Sequence, residues 1–184
     1  MFSLEALLSW RRDVRRFRTD PVEPERLDRL LDLADYAPSV GNSQPWRVVS
    51  VESPERRAAV IAHFHEQNEK AALRYQNAQA DLYRGLKLAG LQQAPVHLAV
   101  YCDEATAQGH QLGAQTMPET RAYSVVCYIH TLWLAARADG LGLGWVSILE
   151  PDAVSTILQT PFHGRVLGEV GGGWPRGGHR EPGR

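Results

Sequence analysis

Strands divided by helices are expected along this sequence, and that order suggests an α/β fold. Three observations carry the prediction. Leu27, Leu30, Leu31 and Ala34 recur at helical spacing. Val125, Ile129, Leu132, Trp133 and Ala136 do so again in a helix expected over 119–138, apolar nearly all round near Cys127. Between and after these stand short runs with strand character at 47–51, 95–102, 143–149 and 166–170. Periodicity leaves the pairing sense open, parallel or antiparallel. A length of 184 residues suits one domain with a buried core.

In chain order, Ser3 is placed to cap a helix from Leu4 to about Trp10. Arg11-Arg12-Asp13-Val14-Arg15-Arg16 follows, four arginines and one carboxylate in six residues. Pro24 suits the first turn of a helix over 24–36. Two prolines, a glycine and small polar residues make 37–46 a loop. The polar stretch from Pro54 to about residue 93 is mostly helical, with 65–84 an exposed excursion. Residues 103–118 are irregular, and Asp139-Gly140 stops the long helix. A short helix is expected over 151–158. The expected division is one domain over 1–170 and a mobile tail over 171–184, too rich in glycine and proline to pack.

Composition excludes several classes. A net charge of -1 gives no global attraction to nucleic acid or an anionic membrane, so the arginine cluster is a local feature. Cys102 and Cys127 lie in apolar runs and read as buried thiols of a reduced compartment. No leader sequence and no 18-residue apolar run is visible, which predicts a cytoplasmic protein. No spacing of histidines, cysteines or carboxylates points to a metal, and no G-x-x-x-x-G-K-[ST] or G-x-G-x-x-G is present.

The chemistry-bearing residues fall in four places. Arginine forks onto phosphate oxygens, and four packed together call for an anion among them, although a solvated helix end accounts for them too. Ser39, Asn42 and Gln44 offer converging hydrogen-bonding groups, suited to the edge of a heteroaromatic ring or to an ordinary turn. Lys87 sits between Leu86 and Leu88, a snorkelling lysine or a charge against an electron-rich ring. Ser147 lies within the apolar run 143–149, and Gly144 permits close backbone approach.

Together these residues resemble the nitroreductase superfamily. Arg11-Arg12-Asp13-Val14-Arg15, Pro38-Ser39 through Asn42-Ser43-Gln44-Pro45-Trp46, and Gly142-Leu143-Gly144-Trp145 carry the resemblance, which covers about residues 5–160. Asp13, where typical members have serine, and Ser147 in Gly144-Trp145-Val146-Ser147-Ile148 select the branch of the 5,6-dimethylbenzimidazole synthases, the BluB family. The resemblance implies an α+β fold with an antiparallel-rich sheet wrapped by helices. It implies a homodimer with flavin sites at the interface, fed by an external flavin reductase. It further implies FMN, whose reduced form is the substrate, fragmented with dioxygen to the benzimidazole ligand of vitamin B12 and erythrose 4-phosphate.

Carried over by position, Arg11, Arg12 and Arg15 would hold the phosphate and ribityl chain. Ser39, Asn42 and Gln44 would meet the ring and ribityl hydroxyls, and Lys87 the pyrimidine edge. Gly144 and Trp145 would approach the ring, with Val14, Pro38 and Leu88 completing the contacts. Asp13 would act as proton acceptor beside the ribityl chain, and Ser147 would steer the oxygen chemistry. Ala114, where this branch is expected to carry a basic residue, and the glycines at 171–173 depart from the pattern. Two other readings fit the same motifs, an NAD(P)H-dependent nitroreductase or quinone reductase and a flavin-binding protein without turnover.

Overall fold

Local signals set the helix starts. In this computed structural model, which describes residues 3–74, 89–160, 162 and 164–176, the Ser3 hydroxyl accepts a hydrogen bond from the Ala6 amide at 3.1 Å. It opens α1, Leu4–Trp10. Pro24 occupies the first turn of α2, Pro24–Ala34. Ser53 caps α3, Pro54–Ala72, through the Arg56 amide. The remaining helices are α4 (Ala89–Gln93), α5 (Thr120–Ala138) and α6 (Pro151–Leu158). Short 3-10 turns stand at Val40–Asn42 and Gln108–Gln111.

The four strands are β1 (Trp46–Ser50), β2 (Val96–Cys102), β3 (Gly142–Val146) and β4 (Arg165–Gly173). All pair antiparallel in the order β1-β2-β4-β3. This is the α+β arrangement that the resemblance implied, and it corrects the α/β fold that the order of elements suggested. The sequence could not settle it because β2 is buried on both faces and reads as one apolar run whatever its partners.

Alternation along the strands sends side chains to two cores. One face carries Leu98, Val100, Cys102, Leu143 and Val170 against α5 and α2. The other carries Ala99, Tyr101 and Val166 against Val60 of α3 and Val154 and Leu158 of α6. Nine residues of α5 are buried, Val125, Tyr128, Ile129 and Leu132 among them, so this helix is central to the protomer. Tyr123 and Val126 stay exposed on its other side. His97 and Glu169, both buried, face each other on β2 and β4 with Nδ1 and Oε1 3.3 Å apart.

Two expectations are corrected. β3 ends at Val146, so Ser147 is not inside a strand; it is exposed and follows it. The domain does not end at residue 170. Gly171-Gly172-Gly173 form the end of β4, between β2 and β3. A Cβ on Gly172 would stand 2.9 Å from Leu143 Cδ2, and one on Gly173 2.5 Å from Pro95 Cδ. Glycine here reflects a sheet with no room for side chains, not a loop. Residues 177–184 of the expected tail and 75–84 of the expected excursion lie outside the described residues; residues 65–72 of that excursion are the end of α3, with Asn68 and Ala72 buried.

Candidate functional site

The arginine segment is built as a cover for the edge strand β3. After α1 the backbone turns extended at Arg11. The Val14 amide donates to Leu143 O at 2.9 Å, and the Trp145 amide donates to Asp13 Oδ1 at 3.0 Å. An exposed sheet edge is thus satisfied by one backbone bond and one carboxylate. The far side of the segment is held by the residues past β4. Arg18 N donates to Trp174 O at 2.8 Å and Arg176 N to Arg16 O at 2.9 Å, with Phe17 bridged to Pro175. Trp174, Pro175 and Arg176, within the expected tail, therefore clamp the segment that carries Asp13.

Close approach is needed here. A Cβ on Gly144 would lie 2.5 Å from the Val14 carbonyl oxygen, so only glycine lets the segment lie on β3. The three arginines find partners of their own. The Arg11 guanidinium stacks 4.7 Å over the Trp133 ring. Arg12 Nη1 donates to Arg11 O at 2.6 Å. Arg15 Nε reaches Asp13 Oδ2 at 3.2 Å. The last pair is partly exposed, and such pairs contribute roughly 0–1 kcal/mol, so Arg15 is easily redeployed to a ligand.

Asp13, Val14 and Arg15 line a cavity with Phe17, Gly90, Leu91, Gly144, Val146 and Gly171, only about 10 Å³ in volume. Sequence reasoning missed Phe17, Gly90, Leu91, Val146 and Gly171. Nothing local marks them; strand alternation would have added Val146 beside Gly144 once the register was known. Trp145 gives only its backbone to this side. Its indole Nε1 donates to Leu167 O at 3.3 Å. Ser147 does not line the cavity either; it borders a neighbouring recess with Leu149, Pro151, Val166, Leu167 and Gly168.

The second predicted cluster lies elsewhere. Pro38 is exposed. The Ser39 hydroxyl accepts from the Gln44 amide at 3.1 Å, and the Val40 amide donates to Ser124 Oγ at 3.0 Å. The loop is thus anchored near the start of α5, whereas the arginine segment is anchored at Trp133, whose Nε1 donates to Arg12 O at 3.3 Å. Nine residues of helix separate those anchors by about 14 Å along the axis. One protomer does not bring the two clusters into one cavity among the described residues. Lys87 and Leu88 lie outside the described residues. The His63 ring nitrogen accepts from the Glu150 amide at 3.0 Å, and His65 meets Gln92 at 3.2 Å.

A short segment rich in guanidiniums is thus laid on a sheet edge, with the Asp13 carboxylate held between the Trp145 amide and Arg15. Residues 8–174 match the Nitroreductase family, and the chain belongs to that family. Among curated relatives, a 5,6-dimethylbenzimidazole synthase of Rhodospirillum rubrum is 55% identical over 97% of this chain and 85% of its own length. One of the same name from Rhodobacter capsulatus is 50% identical over 86% of this chain and 77% of its own. Among solved structures, oxidised iodotyrosine deiodinase bound to FMN and 3-iodo-L-tyrosine superposes with TM-score 0.82 at 23% identity, covering 99% of this chain and 95% of that one. A BluB-like flavoprotein from Clostridium difficile superposes with TM-score 0.76 at 18% identity, covering 100% and 95%.

Proposed function

We propose that this chain is a 5,6-dimethylbenzimidazole synthase that binds reduced FMN and uses dioxygen to convert it to the benzimidazole. The observation that carries the reading is the 55% identity, over nearly the whole chain, with a relative of that name. The donor set fits the ligand: Arg11, Arg12 and Arg15 bring three guanidiniums to one extended segment, suited to a phosphate. Bound FMN supplies the reactive ring and its capacity to react with oxygen. The chain's own residues supply position and proton transfer.

Asp13 is the proposed proton acceptor. Its Oδ1 is fixed by the Trp145 amide, while among the described residues Oδ2 is held only by the partly exposed Arg15. One oxygen is therefore anchored and the other is open to a substrate proton. Ser147, directly after Val146 at the end of β3, keeps an exposed hydroxyl for a ligand extending past the cavity. That cavity, about 10 Å³, is far below the roughly 300–1,000 Å³ of a typical ligand pocket, so the described residues around Asp13 do not by themselves enclose a flavin. A homodimer in which the loop 38–44 of one copy completes the arginine site of the other supplies the missing wall. FMN reduced by a separate flavin reductase is the proposed feed.

The test is product analysis after FMN, reduced on the protein without oxygen, is exposed to air. 5,6-Dimethylbenzimidazole is expected from the parent. Asp13→Asn should retain FMN affinity within a few-fold and lose roughly a hundredfold or more of product, as for a removed general base. Steady NAD(P)H oxidation with a nitro acceptor and no benzimidazole would replace this reading by the nitroreductase one.

A further inference from the structure

The loop that carries Asn42 and Gln44 is held in an unusual backbone. Gly41, Asn42 and Gln44 have φ of 55°, 55° and 41°, and the facing turn has Gly109, His110 and Gln111 at 79°, 50° and 60°. Left-handed conformations at non-glycine residues persist only where surroundings over-determine them. The two turns are pressed together: a Cβ on Gly41 would stand 2.6 Å from Leu112 O. One side chain crosses between them, Gln108. Its Nε2 donates to Asn42 O at 3.0 Å and to Gln44 Oε1 at 2.9 Å.

The chemistry of these contacts fixes the direction of both amides. A backbone carbonyl only accepts, so the end of Gln108 that meets Asn42 O is the amino end. That same amino group meets Gln44, so the end of Gln44 facing it is the carbonyl oxygen. The rest of Gln44 is engaged as well. Its backbone N–H donates to Ser39 Oγ at 3.1 Å, and its backbone carbonyl accepts from Arg47 Nη1 at 3.1 Å. Arg47 is held in turn by Asp103 at 2.9 Å. Among the described residues, the amino group of the Gln44 side chain is the one polar part left without a partner.

We propose that Gln108 is a positioning residue, which locks the Gln44 amide so that its amino end faces the ligand. The loop then offers a hydrogen-bond donor, matched to an acceptor atom such as a ring carbonyl, ring nitrogen or hydroxyl oxygen. This rests on the reading that the ligand is FMN. An unlocked Gln44 would populate both orientations, and the wrong one sets oxygen against oxygen.

The experiment is FMN titration of the full chain, with flavin fluorescence as the readout and circular dichroism and thermal melting as folding checks. Gln108→Glu keeps length but can only accept, so it turns Gln44 around; affinity should fall about tenfold or more. Gln108→Lys only donates and should stay within about threefold of the parent. Gln108→Met removes both bonds without charge and should fall between them. Because Gln108 is exposed, all three should melt within a few degrees of the parent. The deciding readout is the Gln44→Ala background, where the Gln108→Glu loss should shrink to no more than that of Gln108→Met in the same background, the part owed to the bond with Asn42 O. Parent-like binding by Gln108→Glu, or a Gln108→Glu loss of undiminished size without Gln44, overturns the inference while leaving the FMN reading intact. A parent that binds no FMN overturns both.

Discussion

Asp13 and Gly144 share a single contact surface, and neither works without the other's chemistry. Gly144 lets the Val14 carbonyl lie against β3, which places the Asp13 carboxylate on the Trp145 amide. Gly144→Ala should force that segment outward. Overpacking of this kind costs about 1–3 kcal/mol. A fall in melting temperature of roughly 2–10 °C is expected, with weakened FMN binding measured by titration. A variant that melts and binds as the parent would show that the segment relocates freely. Arg12→Ala should weaken FMN binding by roughly 1.5–3 kcal/mol if its guanidinium leaves the Arg11 carbonyl for a phosphate. Unchanged affinity removes Arg12 from the phosphate site.

At the scale of elements, β4 is the organising strand. It pairs with β2 and β3, and the residues beyond it clamp the arginine segment. Its Glu169 is fully buried; His97 Nδ1 stands 3.3 Å from Oε1, but among the described residues neither carboxyl oxygen is hydrogen-bonded. Replacing His97 by leucine leaves that carboxyl without its polar neighbour in an apolar layer. Removing the polar neighbour of a buried polar group costs about 1–3 kcal/mol. Denaturant unfolding of His97→Leu should show a loss in that range, and a loss under 1 kcal/mol would mean that Glu169 has another partner. The short α4 sits over the same face of the sheet, where Gly90 and Leu91 close the cavity beside Asp13.

For the molecule as a whole, alkaline stability is set by groups in the two cores. Burial pushes the Cys102 thiol up to about 11 from 9.0, with Glu104 adding to the rise. Burial also raises Tyr101. A folded-state pKa above the unfolded one means that the folded state holds its proton longer. The Cys102 contribution is therefore complete below pH 9 and is lost as pH rises through 11. Stability should fall over that window, and Cys102→Ala should flatten the slope in melts taken across it. An unchanged slope would assign the alkaline loss to other groups. The exposed Tyr123 and Val126 on α5 give the proposed dimer an apolar face. Val126→Asp should shift light scattering toward monomer and lower FMN occupancy together. A folded monomer with full flavin would defeat the two-protomer site.

Short-range physics made much of this legible in the sequence. Ser3 caps α1, Pro24 and Pro54 open helices, and a 3.6-residue period marks α5, because each signal acts within a turn or two of chain. The run Arg11 to Arg15 with its embedded Asp13 was legible as a candidate site for the same reason. What only the tertiary structure decided involves residues far apart in the chain. The antiparallel order β1-β2-β4-β3, the glycines of β4 as a packed strand end, and the exposure of Ser147 beyond β3 depend on which segments meet. Gln108 carries no motif of its own. It became a candidate only when the turn at 108–111 was set against the loop at 40–44, leaving one amide to settle the direction of another.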